Sequence, residues 1–268
     1  MTSAKLNLCF FPAAAMSFIS IQCGAALARD MSTDRPDKTE SAYTLDAGRW
    51  QIELDAVNFT RDDEAGTRVD TISISPFNLK YGIGSSTDVQ FVVTPYTLVE
   101  SSGSASSSSV SGFGDLIIRV KQNLFGNDDG DVALAVMPFI KLPTASDDLG
   151  GNDDVEGGII VPLAIELSSA VGLGLMAQLN VLKDSSANYS AEWVASATAG
   201  IDLTEELGLY VELFASEFED VSEETVATFD MGFTYALTED LQLDTGINIG
   251  ITSAADDVQT FLGVSKRW

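Results

Sequence analysis

From Arg49 to the end of the chain, apolar and polar residues alternate with a period of two rather than 3.6. In WQIELDA, Trp50, Ile52, Leu54 and Ala56 share one face, and Gln51, Glu53 and Asp55 the other. In DLIIRVKQNL, Leu116, Ile118, Val120 and Leu124 oppose Asp115, Arg119 and Lys121. Leu207, Leu209, Val211 and Leu213 oppose Tyr210 and Glu212 in the same way, and Leu241, Leu243, Ile247, Ile249 and Ile251 oppose Gln242, Asp244 and Asn248. No stretch beyond Arg49 has the spacing of an amphipathic helix. The runs predict about twelve strands, at 48–60, 67–82, 87–100, 112–124, 131–144, 157–168, 171–183, 189–203, 207–217, 224–237, 241–252 and 257–268. Soluble proteins favour strands of ~5–6 residues, whereas a tilted strand crossing a bilayer needs ~9–11. The length of these runs therefore points to a membrane barrel.

The connections carry a second regularity. YALTEDLQL and IDLTEELGL each place a short polar reversal between two alternating runs. Short turns are predicted near 83–86, 125–130, 169–170, 204–206 and 238–240. Longer links, rich in acid or in Ser and Gly, are predicted near 61–66, 101–111, 145–156, 184–188, 218–223 and 253–256. Such alternation fits an up-and-down barrel with short turns on the periplasmic rim and loops outside. The serine-rich SSGSASSSSV (Ser101 to Val110) reads as one of the flexible outer loops.

Alternation does not say which face is inside. Charges crowd the polar face, and a dry core would not tolerate them. Trp50, Phe91, Trp193, Tyr235 and Trp268 lie on the apolar face, often near run ends, as an interfacial girdle would. The apolar face is therefore assigned to lipid, and the fold class is an all-β, up-and-down antiparallel transmembrane β-barrel. A secreted soluble β-protein is the alternative.

Composition narrows the chemistry. The chain of 268 residues has 14 Lys and Arg against 40 Asp and Glu, a net charge of -26. That balance excludes nucleic acid as a partner and disfavours a surface held on anionic lipid. A mean hydropathy of +0.15 separates it from acidic disordered chains. There is no His, which removes Ser-His-Asp triads and His-ligated metals. No cofactor pattern is present, and the chain does not read as an enzyme.

Residues 1–28 read as an export signal: Lys5, an apolar stretch from Leu6 to Ile21, and a small-x-small site at Ala26 to Ala28. A short membrane anchor is the alternative. Both cysteines, Cys9 and Cys23, fall in this segment, so no disulfide staples the rest. Residues 29–47 form a polar leader, either a periplasmic tail or a plug in the lumen, and residues 48–268 form the barrel. In the plug reading, Arg35, Asp37, Lys38 and Glu40 would meet the lumen charges.

Strand parity gives a candidate lumen face. Cations fall on the second, fourth and fifth strands, at Lys80, Arg119, Lys121 and Lys141. Acids fall on the sixth and the eighth to eleventh, at Glu166, Glu192, Glu212, Asp230 and Asp244, and on the first at Glu53 and Asp55. This separation of sign would make either a transverse field across a narrow aqueous path or a set of salt bridges that fills the lumen. Asp147, Asp148, Asp153 and Asp154 form the densest acidic loop, either a weak Ca²⁺ candidate or a solvated repulsive loop. Gly263 and the terminal Trp268 match the closing signal read by the barrel-assembly machinery, although Lys266 stands where that signal has an apolar residue.

Several segments resemble a known family. STDRPDKTESAYTLDAGRWQIEL (Ser32 to Leu54), GFGDLIIRVKQNLF (Gly112 to Phe125), IKLPTASDD (Ile140 to Asp148) and the closing GVSKRW are similar to landmarks of the phenol-degradation MetA-pathway outer-membrane family. Lys38 and Ala42 depart from its usual pattern. The resemblance implies an outer-membrane barrel that passes small solutes passively, aromatic or otherwise apolar. The alternative is a structural or surface-interaction barrel with a plugged lumen. Outer-membrane lipid and a small-molecule solute are the expected partners, and no feature sets an oligomeric state.

Overall fold

In the computed structural model, residues 29–104, 106–149, 154–183, 188–219 and 224–268 are described. The export-signal reading and Asp153 lie outside them.

Fifteen strand segments occur among the described residues: β1 (Trp50–Glu64), β2 (Thr67–Ile74), β3 (Phe77–Gly82), β4 (Thr87–Val93), β5 (Tyr96–Gly103), β6 (Ser107–Gly112), β7 (Leu116–Phe125), β8 (Val132–Leu142), β9 (Glu156–Ser168), β10 (Val171–Lys183), β11 (Tyr189–Asp202), β12 (Leu207–Phe218), β13 (Val226–Thr238), β14 (Leu241–Gly250) and β15 (Val258–Arg267). Twelve of them close a ring. The order runs from β15 down through consecutive neighbours to β7, then β4, β3 and β1, and β1 pairs back onto β15. Every pairing is antiparallel, as at Gln51 with Arg267 and Leu54 with Val264 across the seam. The fold is an all-β closed barrel of twelve strands, so the ring has no open edge strand.

The remaining segments, β2, β5 and β6, pair with the upper half of β1 and with one another as an apron above the ring. Three crossings break where the apron begins: at Ser75-Pro76, before Pro95, and at Phe113 to Asp115. Proline lacks the donor that a ladder needs. Ser75 sits at φ 53°, and the ladder of β1 shifts register opposite, between Asp55 and Val57. This break changes which side chains face outward, from Ile72 and Ile74 before Pro76 to Phe77, Leu79 and Tyr81 after it.

Two expected loops prove to be strand. Around 61–66, β1 and β2 continue to a two-residue turn at Ala65 and Gly66, both at positive φ (50° and 84°), the geometry of a tight hairpin. The serine-rich stretch is also paired, with Ser102 opposite Ser107 and Glu100 opposite Ser109. Its neighbours dictate the ladder, and serine's weak strand preference does not prevent it.

The outer surface is apolar. Trp50, Trp193, Tyr235 and Trp268 are exposed on it. The seam ends in a reciprocal pair, Trp268 N–H donating to the Trp50 carbonyl at 2.9 Å and Trp50 N–H to the Trp268 carbonyl at 3.1 Å. The interior holds the buried polar residues, among them Gln51, Gln90, Lys121, Glu212 and Asp230.

Candidate functional site

Period-two alternation in a closed sheet sends every second side chain inward. Lys80 on β3 and Arg119 and Lys121 on β7 project from one wall. Glu212 on β12, Asp230 on β13 and Asp244 on β14 project from the opposite one, with Glu53 and Asp55 on β1 between them. The other predicted lumen residues lie apart from this group. Lys141 is at the long-loop end, in ion pairs with Glu156 and with Asp115 at 3.5 Å. Glu192 accepts a hydrogen bond from Asn180 Nδ2 at 2.8 Å. Glu166 lies at the short-turn mouth, near Asp202.

The leader occupies the space between the two charged walls. It enters at the short-turn end, where Arg29 pairs with Asp46 at 2.6 Å and with Asp128 at 3.3 Å. It then rises, crosses the lumen and returns, with Ser32 and Ser41 hydroxyls 2.7 Å apart at the base of the loop. Its charges alternate to suit the walls they meet. Asp34 bridges Lys80 and Lys121 and accepts from the Ser41 N–H at 3.0 Å. Arg35 reaches the other way, to Asp244 at 2.6 Å and Asp55 at 2.5 Å. Lys38 Nζ lies 3.4 Å from Asp230, and the Lys38 and Thr39 N–H groups both donate to Glu212 at 2.8 Å. Glu40 turns back to Arg119 at 2.5 Å. On the return, Asn123 donates to the Ala42 carbonyl and the Leu45 N–H donates to Asp88.

These contacts set the ionisation of the leader. Burial acts to raise Asp34, but the ammonium groups of Lys121 and Lys80 outweigh it and hold the carboxyl well below the usual range. Burial, with Glu212 and Glu40 nearby, pushes Asp37 up to about 8 despite a hydrogen bond to Thr198. Gly263 has a local reason to lack a side chain. A Cβ there would lie 2.0 Å from Arg35 Nη2 and 2.3 Å from Asp244 Oδ1. The Arg35–Asp244 pair lies directly over it.

Part of the lumen wall is apolar, which strand parity did not disclose. Met137, Ile160, Met176 and Val194 form a buried cluster on the inner faces of β8 to β11, with Phe139 and Phe214 against it. It adjoins the leader: the Glu40 N–H lies 3.5 Å from Met176 sulfur, and Lys38 Nζ lies 4.5 Å from the centre of the Phe214 ring. The signal was present in EGGIIVPLAIEL, which is apolar on both faces between Ile159 and Ile165.

Below the leader the barrel widens into a vestibule of about 1010 Å³ at the short-turn end, with Asp128, Asp129, Asp131 and Asp202 around it. At the other end, Asp147 and Asp148 lie on a short 3-10 turn (Asp147–Leu149), and Asp154 is 3.5 Å from Lys183 Nζ. Among the described residues no three acids converge as a metal site.

A family model described as "Putative MetA-pathway of phenol degradation" matches residues 33–268. A search of curated proteins finds no match. Among solved structures, the COG4313 outer membrane channel from Pseudomonas putida F1 is similar at 13% identity and a TM-score of 0.66, over 88% of this chain and 100% of that one. The NanC porin is similar at 8% identity and a TM-score of 0.52, over 80% and 98%. The CymD monoaromatic hydrocarbon channel is similar at 10% identity and a TM-score of 0.50, over 83% and 88%.

Proposed function

The chain belongs to the MetA-pathway phenol-degradation family, and from that premise we propose that it is a passive channel of the bacterial outer membrane for small apolar or aromatic molecules, narrowed by its own leader. The observation that carries this reading is the apolar strip of Met137, Ile160, Met176 and Val194 inside the lumen, flanked by Phe139 and Phe214. A path meant only for sugars or ions has no use for buried methyl groups on its inner wall. With the leader displaced, a solute with an apolar body and one polar group would move along the strip while its polar end stays in the charged half.

On this reading the short-turn end faces the periplasm. Residues 1–28 serve as the export signal. Arg35, Asp37, Lys38 and Glu40 act as the plug, and Lys80, Arg119, Lys121, Glu212, Asp230 and Asp244 are the lining that holds it. The charged walls do not leave a free transverse field, because the leader bridges them.

Planar-bilayer recording tests the proposal. The expected record is a small steady conductance with brief interruptions when phenol or benzyl alcohol is added, and none with a disaccharide. Absence of any current, with or without solute, would instead favour a structural barrel with a closed lumen.

A further inference from the structure

Beneath the leader lies a recess in the barrel wall of about 350 Å³. Its floor is made by inner-face positions of β9 to β12 that carry almost no side chain: Ala164, Gly172, Gly174, Gly200 and Gly208. They are contiguous across the ladder, with Gly174 opposite Ala164 and Gly172 opposite Gly200. At Gly200 an added Cβ would meet nothing within 4 Å, and at Gly172 only the Ile165 carbonyl oxygen at 4.0 Å. Neither glycine has a positive φ. Backbone geometry therefore does not require glycine at either position, and what their absence of side chain provides is space.

We propose that this recess is a binding site for a small, flat solute that is neutral or cationic, and that it rejects anions of the same shape. The proposal rests on the channel reading and adds the charge class of the solute. Two facts carry it. The volume is more than twice the ~150 Å³ of an engineered cavity that takes benzene. Exposed peptide planes of adjacent glycines give a flat floor, and the Tyr43 and Tyr210 side chains contribute to the wall.

Charge supplies the selection. Asp37, Glu166 and Asp202 line the recess, and among the described residues no Lys or Arg does. Asp37, pushed up to about 8, is protonated at neutral pH and can donate a hydrogen bond. Glu166 and Asp202 are the acids at the mouth, and the vestibule beyond carries Asp129 and Asp131, with Asp128 paired to Arg29. A carboxylate entering within ~7 Å of each of two such groups, at an effective dielectric of ~40, is disfavoured about tenfold per group.

The test uses the full exported chain in detergent, with benzyl alcohol, benzylammonium and benzoate as probes at pH 7 and affinities from saturation-transfer titration. Benzyl alcohol and benzylammonium should each bind at least tenfold more tightly than benzoate. Gly200→Leu and, separately, Gly172→Leu should abolish binding of both while the barrel keeps its heat-modifiable mobility on a gel. Glu166→Gln with Asp202→Asn should bring benzoate within threefold of benzyl alcohol. Equal or tighter benzoate binding by the unaltered chain, or undiminished binding in both leucine variants, would overturn the proposal. Failure of the channel reading shows separately, as absence of current in bilayers from protein that still binds the probes.

Discussion

Asp34 joins the leader to the cationic wall, and its removal should free the leader. The isosteric Asp34→Asn keeps the shape but withdraws the charge facing two ammonium groups. In the docked state the Lys121 side chain is fully buried and Asp34 is its ion-pair partner, whereas Lys80 retains Glu53. Taking away one partner of a buried pair costs about 3–5 kcal/mol. That cost falls on the docked state alone, since Lys121 is hydrated once the lumen fills with water. At 1.36 kcal/mol per decade, the ratio of docked to undocked leader should fall about 150- to 5,000-fold. The assay is thiol labelling. Residues 29–268 contain no cysteine, so Ala42→Cys places a unique reporter at a position only 1% exposed in the docked leader. Its reaction with a maleimide should accelerate at least a hundredfold on adding Asp34→Asn. Equal labelling rates in the two backgrounds would refute the reasoning, because the leader would then be held by something other than its charges.

Other consequences follow from the same geometry. Ala197 faces outward near the middle of the apolar band of β11, so Ala197→Arg should destabilise the folded barrel in lipid by about 2–4 kcal/mol in urea titrations. Gly263→Val should push the Arg35 guanidinium off Asp244 and speed Ala42→Cys labelling at least tenfold, with the barrel itself intact. Asp37 has its carboxyl raised to about 8 in the docked leader, so docking takes up a proton; it is strongest below pH ~4 and weakens as pH rises towards 8. Glu40, also raised by burial, acts in the same direction, and Asp34 stays ionised throughout this window. Channel opening in bilayers should therefore increase from pH 5 to pH 8, and Asp37→Asn should flatten that increase.

Much of the fold was legible because, in a closed sheet, assigning one face of an alternating run fixes the other. Once Trp50 and Trp193 were assigned outward, Lys121, Glu212 and Asp244 had to point inward, and they do. Within the apron β6 was not legible, since a run such as SSSVSG has no apolar face to betray its pairing. The leader's charge order, Asp34, Arg35, Lys38, Glu40, could be read as four charges. Which wall each would meet depends on the path of the loop, which no local pattern encodes. The apolar strip was hidden for the opposite reason: Ile159 to Ile165 is apolar on both faces, so a period-two reading cannot separate lipid from lumen there. The recess glycines sat in VGLGLMAQL, where glycine reads as a weak strand position rather than as deliberate space.

The account depends most on the leader standing in an otherwise continuous water path through a barrel whose greasy surface faces lipid. Single-channel recording of the exported chain beside a variant lacking Met31 to Glu40 tests this directly. A several-fold larger unitary conductance in the shortened chain is the result this structure predicts. Identical conductance, or silence from both, would contradict it.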